Sequence, residues 1–121
     1  MLKTCVLAAS LSMLTSLAGA AERGVAGTYD VTGTNPDGSP YTGTAEIHAT
    51  SKDTCTIAWK LGAEAASGVC LRNGSLLAAG WPFGDKVGVV IFEIKDDGSM
   101  VGLWTLTNET NAGTEVLTPK H

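Results

Sequence analysis

Basic residues form no cluster anywhere in this chain. Eight lysines and arginines are scattered among twelve aspartates and glutamates, for a formal charge of −4. Binding to nucleic acid needs a positive surface to neutralise phosphates, so that class of partner is argued against. Proline is scarce, at 4, and aromatic residues make up only 6%. Histidine occurs twice, as His48 and His121. A general base needs a nucleophile or substrate in reach and a supporting group. His48 falls on the polar face of an alternating segment and His121 ends the chain, so neither reads as catalytic. No GxSxG, HExxH, P-loop, GxGxxG or EF-hand pattern is present. The carboxylates Glu46, Glu93 and Glu115 lie on extended segments without the facing partner that a glycosidase needs. Asp96, Asp97 and Asn108 are spaced unlike a standard calcium loop and read as turn residues. No Cys/His spacing suits zinc, so no metal site and no cofactor are expected. The expectation is a protein that is not an enzyme.

What is present is apolar and rich in glycine: 44% hydrophobic residues, 17% charged, and 15 glycines in 121 residues. That composition is too apolar for disorder and too glycine-punctuated for a helical bundle. Its length fits one domain. Lys3, an apolar run from Cys5 to Leu17, and Ala18-Gly19-Ala20 have the order of a secretory signal peptide with its cleavage motif. The run is too short for a bilayer span. Residues 1–20 are therefore read as a signal peptide and 21–121 as one exported domain, periplasmic or secreted. Removing 1–20 also removes Cys5, which leaves Cys55 and Cys70. An even pair in an oxidising compartment reads as a disulfide.

Three turn signals recur: Asp37-Gly38-Ser39, Asn73-Gly74-Ser75 and Asp97-Gly98-Ser99. Asx-Gly between apolar runs marks a hairpin, because both residues tolerate positive φ. Alternation of period two is clean at Tyr41, Gly43, Ala45, Ile47 and at Cys55, Ile57, Trp59, Leu61, the mark of strands with one wet face. Residues 57–66 are ambiguous, since their alanines also suit a helix. Gly62 and the preceding alternation argue for a hairpin. Eight strands are predicted, near 26–33, 41–48, 54–61, 67–71, 75–81, 87–94, 100–106 and 113–118. With short links they pair sequentially and antiparallel. The expected fold is all-β, an eight-stranded up-and-down barrel of calycin-like form, with a β-sandwich as the alternative. The two cysteines then lie on adjacent strands.

Trp59, Trp81 and Trp104 fall on alternate strands. With Tyr41 they hold most of the aromatic mass after residue 20. Convergence inside a barrel would let them fill the core or line a pocket for a small apolar ligand. Small residues at possible inward positions (Gly43, Ala45, Gly68, Gly80, Gly102) leave room for either. Strands five to seven are apolar on both faces, and such strands must be covered twice or expose a patch. A partner or homo-oligomer interface is expected there, with Leu77, Val90, Phe92, Val101 and Leu103 as its candidates.

The segments GTYDVTGTNPDGSPYTGTAEI (27–47), CTIAWKLG (55–62), GVCLRNGSLLAAGW (68–81), VGVVIFEIKDDGSMVGLWT (87–105) and GTEVLTP (113–119) resemble a family of small secreted bacterial proteins. Its members share G-x-Y-x-V-x-G, a mid-chain I-x-W, a D-G-x-x-x-G-x-W hairpin and a terminal G-T-E-x-L. The family has no established activity and implies no catalytic residues. Some relatives carry an adhesion-type, fibronectin-binding label. The architecture resembles calycin and avidin-like barrels, although Gly27-Thr28-Tyr29 replaces the lipocalin G-x-W opening. The functional expectation is an exported, non-enzymatic binding protein of the bacterial envelope. It would use the barrel interior or the face of strands five to seven. Two alternatives are an inhibitor of a hydrolase (a protease or lysozyme) and an adhesion-type protein binding host matrix.

Overall fold

A computed structural model describes residues 24–121; the signal-peptide reading of 1–20 lies outside the described residues. Eight strands run in order: β1 (Gly27–Thr34), β2 (Pro40–Ala49), β3 (Thr54–Leu61), β4 (Glu64–Asn73), β5 (Leu76–Phe83), β6 (Lys86–Ile94), β7 (Met100–Leu106) and β8 (Gly113–Pro119). Each pairs antiparallel with the next, and β8 returns to β1, which closes the barrel. Closure leaves no unpaired strand edge. The barrel holds and the sandwich does not. Among the described residues there is no helix long and apolar enough to cross a membrane.

The turns explain the pairing. Asp37 Oδ1 accepts hydrogen bonds from Ser39 N at 2.9 Å and Ser39 Oγ at 2.6 Å, and Asp97 Oδ1 does the same for Ser99 at 2.9 and 2.7 Å. These two Asp-Gly-Ser turns join β1 to β2 at one end and β6 to β7 at the other. Three further links are two residues long: Gly62-Ala63, Gly74-Ser75 and Gly84-Asp85. Each begins with a glycine at positive φ, near 65°, the conformation a tight hairpin requires and a side chain resists. The ambiguous stretch at 57–66 is therefore a hairpin. Because Gly62-Ala63 closes so tightly, β4 begins at Glu64, three residues before the predicted start. Asn73 belongs to β4 rather than to its turn, and β5 begins at Leu76.

Inside, Cys55 and Cys70 are directly opposed across β3 and β4 and form a disulfide, with Cα atoms 4.9 Å apart. It lies buried toward the end that holds Val25, whose carbonyl accepts the buried Tyr29 hydroxyl at 2.6 Å. Ile47, Ile57, Leu77, Phe92, Met100 and Leu117 fill this half almost without exposure. A disulfide indicates an oxidising, non-cytoplasmic compartment.

Four aromatic rings lie over glycines of the neighbouring strand: Tyr41 over Gly33, Trp81 over Gly88, Phe92 over Gly102 and Trp104 over Gly113. Each pair is directly opposed in register. A Cβ placed on any of these glycines would overlap the facing ring. The glycines are cut-outs that let large rings lie flat inside a narrow barrel. Gly43, Ala45, Gly68 and Gly102 face inward as expected. Gly80 does not: it alternates with Ala79 and Trp81 and turns outward.

The doubly apolar strands correct one expectation. Leu77, Val90 and Phe92 point into the core, at 0%, 4% and 0% exposure, so they cannot form an outer face. Val101 and Leu103 are exposed as expected. Where both faces of a strand are apolar, composition does not fix which set turns inward, and a shift of one residue exchanges them. The outward apolar set is instead Val69, Leu71, Leu76, Val87, Val89, Ile91, Val101 and Leu103, on β4 to β7.

Candidate functional site: an aromatic cavity around a buried carboxylate

The end opposite Val25 is open and contains a cavity of about 260 Å³. Tyr41 comes from the start of β2, Trp59 from β3, Trp81 from β5 and Trp104 from β7, and all four line it together with Glu115 of β8. The three tryptophans converge on the cavity. Alternation fixes the inward parity of Trp59 on β3, and closure brings alternate strands together across the interior.

These side chains form a continuous circuit. Trp59 and Trp81 have ring centroids 5.0 Å apart, Trp81 and Trp104 6.2 Å, and Trp104 and Tyr41 6.1 Å, edge to face. Glu115 completes it. Its Oε1 accepts the Tyr41 hydroxyl at 2.7 Å and its Oε2 accepts the Trp59 indole N–H at 2.8 Å. Trp104 Nε1 donates instead to the main-chain carbonyls of Thr34 and Thr114, at 3.2 and 3.3 Å. The aromatic layer is thus positioned by backbone and carboxylate acceptors.

Glu115 is the residue that the sequence reading passed over. It is 5% exposed, the sole buried charged residue among the described residues. Burial raises its pKa above the ordinary value, opposed by the hydrogen bonds from Tyr41 and Trp59. Burial, followed by the nearby Glu115 charge, drives the Tyr41 phenol far above its ordinary pKa. Tyr41 therefore acts as a donor and not as an ionisable acid. The signal was available in the strand parity of Gly113, Glu115 and Leu117, which puts a carboxylate on the inward face.

Other candidates stay apart. His48 is exposed beside Glu46, at 3.4 Å. Asp96 and Asp97 lie in the β6–β7 turn and Asn108 in the β7–β8 loop, at opposite ends of the barrel. Asn108 has φ 73°, the turn conformation expected of an Asn. The disulfide lies deeper than the cavity and does not line it.

Among solved structures the chain is similar to several, three of them barrels. One is a redesigned β-barrel, with TM-score 0.68 and 18% identity over 87% of this chain and 98% of that one. The second is a de novo designed fluorescence-activating β-barrel, with TM-score 0.63 and 14% identity over 86% and 100%. The third is EF1p2_mFAP2b bound to DFHBI, with TM-score 0.60 and 18% identity over 79% and 94%. At these identities the likeness is one of fold, that of a β-barrel. No known protein family and no curated protein matches the chain. The resemblance to a secreted bacterial family therefore rests on the quoted motifs alone.

Proposed function

We propose that this protein is an exported, non-enzymatic binding barrel of the bacterial envelope that takes a small, largely apolar molecule into its open end. The observation that carries this reading is the cavity, with Trp59, Trp81, Trp104 and Tyr41 around the buried carboxylate of Glu115, and Asn35 and Glu64 also in its lining. Small-molecule sites combine an apolar wall with a few placed polar groups in this way. An apolar cavity of about 150 Å³ accommodates benzene; at about 260 Å³ this one suits a ligand of one or two rings. Barrels of similar fold include a fluorescence-activating one and one solved with DFHBI bound. Export is supported by the buried disulfide and by the signal-peptide pattern at 1–20. Adding lipophilic probes should quench tryptophan emission or shift it to the blue, and Trp104→Ala should abolish the change. Emission that stays constant at saturating probe would refute the pocket.

The outward apolar face of β4–β7 supports a second reading, as a contact for a protein partner or a second copy. Ala78, Ile91 and Leu103 are successive register partners across β5, β6 and β7, with Leu71 beside Ala78. Sedimentation as a monomer at every practical concentration would remove the self-association form of it.

A further inference from the structure

The cavity holds a buried carboxylate that no cation offsets. The ion pairs among the described residues are Glu46 with His48, Glu93 with Lys95 and Asp30 with Lys120, all exposed. Glu115 receives only neutral donors, one on each oxygen. Trp59 can only donate, and an ionised carboxylate has an acceptor oxygen for each of the two donors. A glutamine there would offer a single acceptor to the two donors. Two lone-pair positions remain unfilled by these donors, on a side chain that lines the cavity.

The walls add to this. Indole and phenol faces carry negative quadrupole potential and attract cations. Trp59, Trp104 and Tyr41 direct their polar hydrogens to Glu115 and to backbone carbonyls, and with Trp81 their rings line the cavity. The turns and strand ends framing the mouth carry Asp37, Glu64, Asp85 and Glu109 against Lys60 and Lys86. That excess of acid raises the local concentration of cations at the opening.

We propose that the open-end site takes a small organic cation, an ammonium group on an aromatic or compact alkyl body, with Glu115 as its counter-charge. This rests on the binding-barrel reading above and specifies its ligand class. Folding has already desolvated the carboxylate, so an arriving cation sheds only its own hydration and gains both the ion contact and the ring faces. An anionic ligand such as a fatty-acid carboxylate is disfavoured, because two like charges would share one apolar site.

The test compares benzylammonium with ethylbenzene, its near-isosteric neutral counterpart, by indole fluorescence and calorimetry at neutral pH. Benzylammonium should bind at least about tenfold more tightly, although ethylbenzene is the more hydrophobic. The ratio should collapse toward one in Glu115→Gln. It should also shrink in the unaltered protein as acid protonates the carboxylate, an arm that stands even if the variant fails to fold. Ethylbenzene binding as well or better, or a ratio indifferent to both pH and Glu115→Gln, overturns the cation assignment and leaves the binding barrel intact. If neither probe binds, both readings fall.

Discussion

Trp59 donates its indole N–H to Glu115 across the barrel interior at 2.8 Å, although the two residues are 56 positions apart and lie on strands, β3 and β8, that do not pair. The bond spans the layer that separates the packed half of the barrel from the open cavity. Its carboxylate end is buried and its acceptor capacity only half used, so it serves both as a strut and as the polar anchor of the site.

That buried carboxyl gives stability a particular pH dependence. Burial holds the folded pKa above the ordinary value of 4.5. The folded state therefore binds the proton more tightly than the unfolded one. The contribution is fully present below the unfolded value and lost as pH rises through the folded value. The titratable groups facing Glu115 are Tyr41 from β2 and, across the mouth, Glu64 of β4. The adjoining β1 and β7 present Gly33 and Gly102, and across the interior β3 and β6 present Trp59 and Val90. Urea midpoints of the ligand-free protein should fall as pH rises above about 4.5, with a shallower fall in Glu115→Gln. Equal slopes in the two proteins would contradict the buried titration.

The ring-over-glycine pairs predict a sharp asymmetry among glycine substitutions. Gly88→Ala drives a methyl into the Trp81 ring, and overpacking of this kind costs about 1–3 kcal/mol. At Gly80, which faces outward, a Cβ meets nothing nearer than the Gly88 carbonyl oxygen at 3.7 Å. Gly80→Ala should be neutral or slightly stabilising, because alanine loses less chain entropy than glycine. Chemical denaturation of the two variants reads the difference directly. Near-ultraviolet circular dichroism should change only for Gly88→Ala.

The disulfide between Cys55 and Cys70 closes a loop across a sequence separation of 15. A closure of that length is worth roughly 3 kcal/mol in the chain-entropy model. Cys55→Ala with Cys70→Ala should lower unfolding free energy by about that amount while keeping the barrel's far-ultraviolet spectrum. Both sulfurs lie in cysteines only 4% exposed, so a reductant should act on the native protein far more slowly than on the urea-unfolded one. Comparable rates of thiol release in the two states would place the bond at the surface.

Ile91 and Leu103 are opposed in register and about half exposed, at 51% and 56%. Ile91→Lys should change monomer stability by no more than about 0.5 kcal/mol, as surface substitutions generally do. If the outer face of β4–β7 docks a second copy, the same change should weaken association by tenfold or more in sedimentation equilibrium. Undiminished association would shift the contact to another surface.

Much of the barrel was legible in advance. The Asp-Gly-Ser turns, clean alternation on β2 and β3, and the short links gave strand count, order and closure. The same alternation placed Cys55 beside Cys70 and aimed Tyr41 and Trp59 inward, whereas Trp81 and Trp104 lie on strands whose two faces are both apolar. Strand ends were read less well. Glycine-led two-residue turns at Gly62 and Gly74 let β4 run longer than its side-chain pattern suggested.

What the sequence determined by itself is whatever depends on local preference: where glycine permits a tight turn, and which residues share a face where the two faces differ in polarity. Only the tertiary structure decided the inward face of β5 and β6, where Leu77, Val90 and Phe92 proved to be core. Both faces there are apolar, so the choice falls to register and packing. Only closure of β8 onto β1 brought Glu115 to Tyr41 and Trp59. Its meaning as a buried anion comes from neighbours distant in the chain, since solvation and hydrogen bonding depend on what surrounds a group in space.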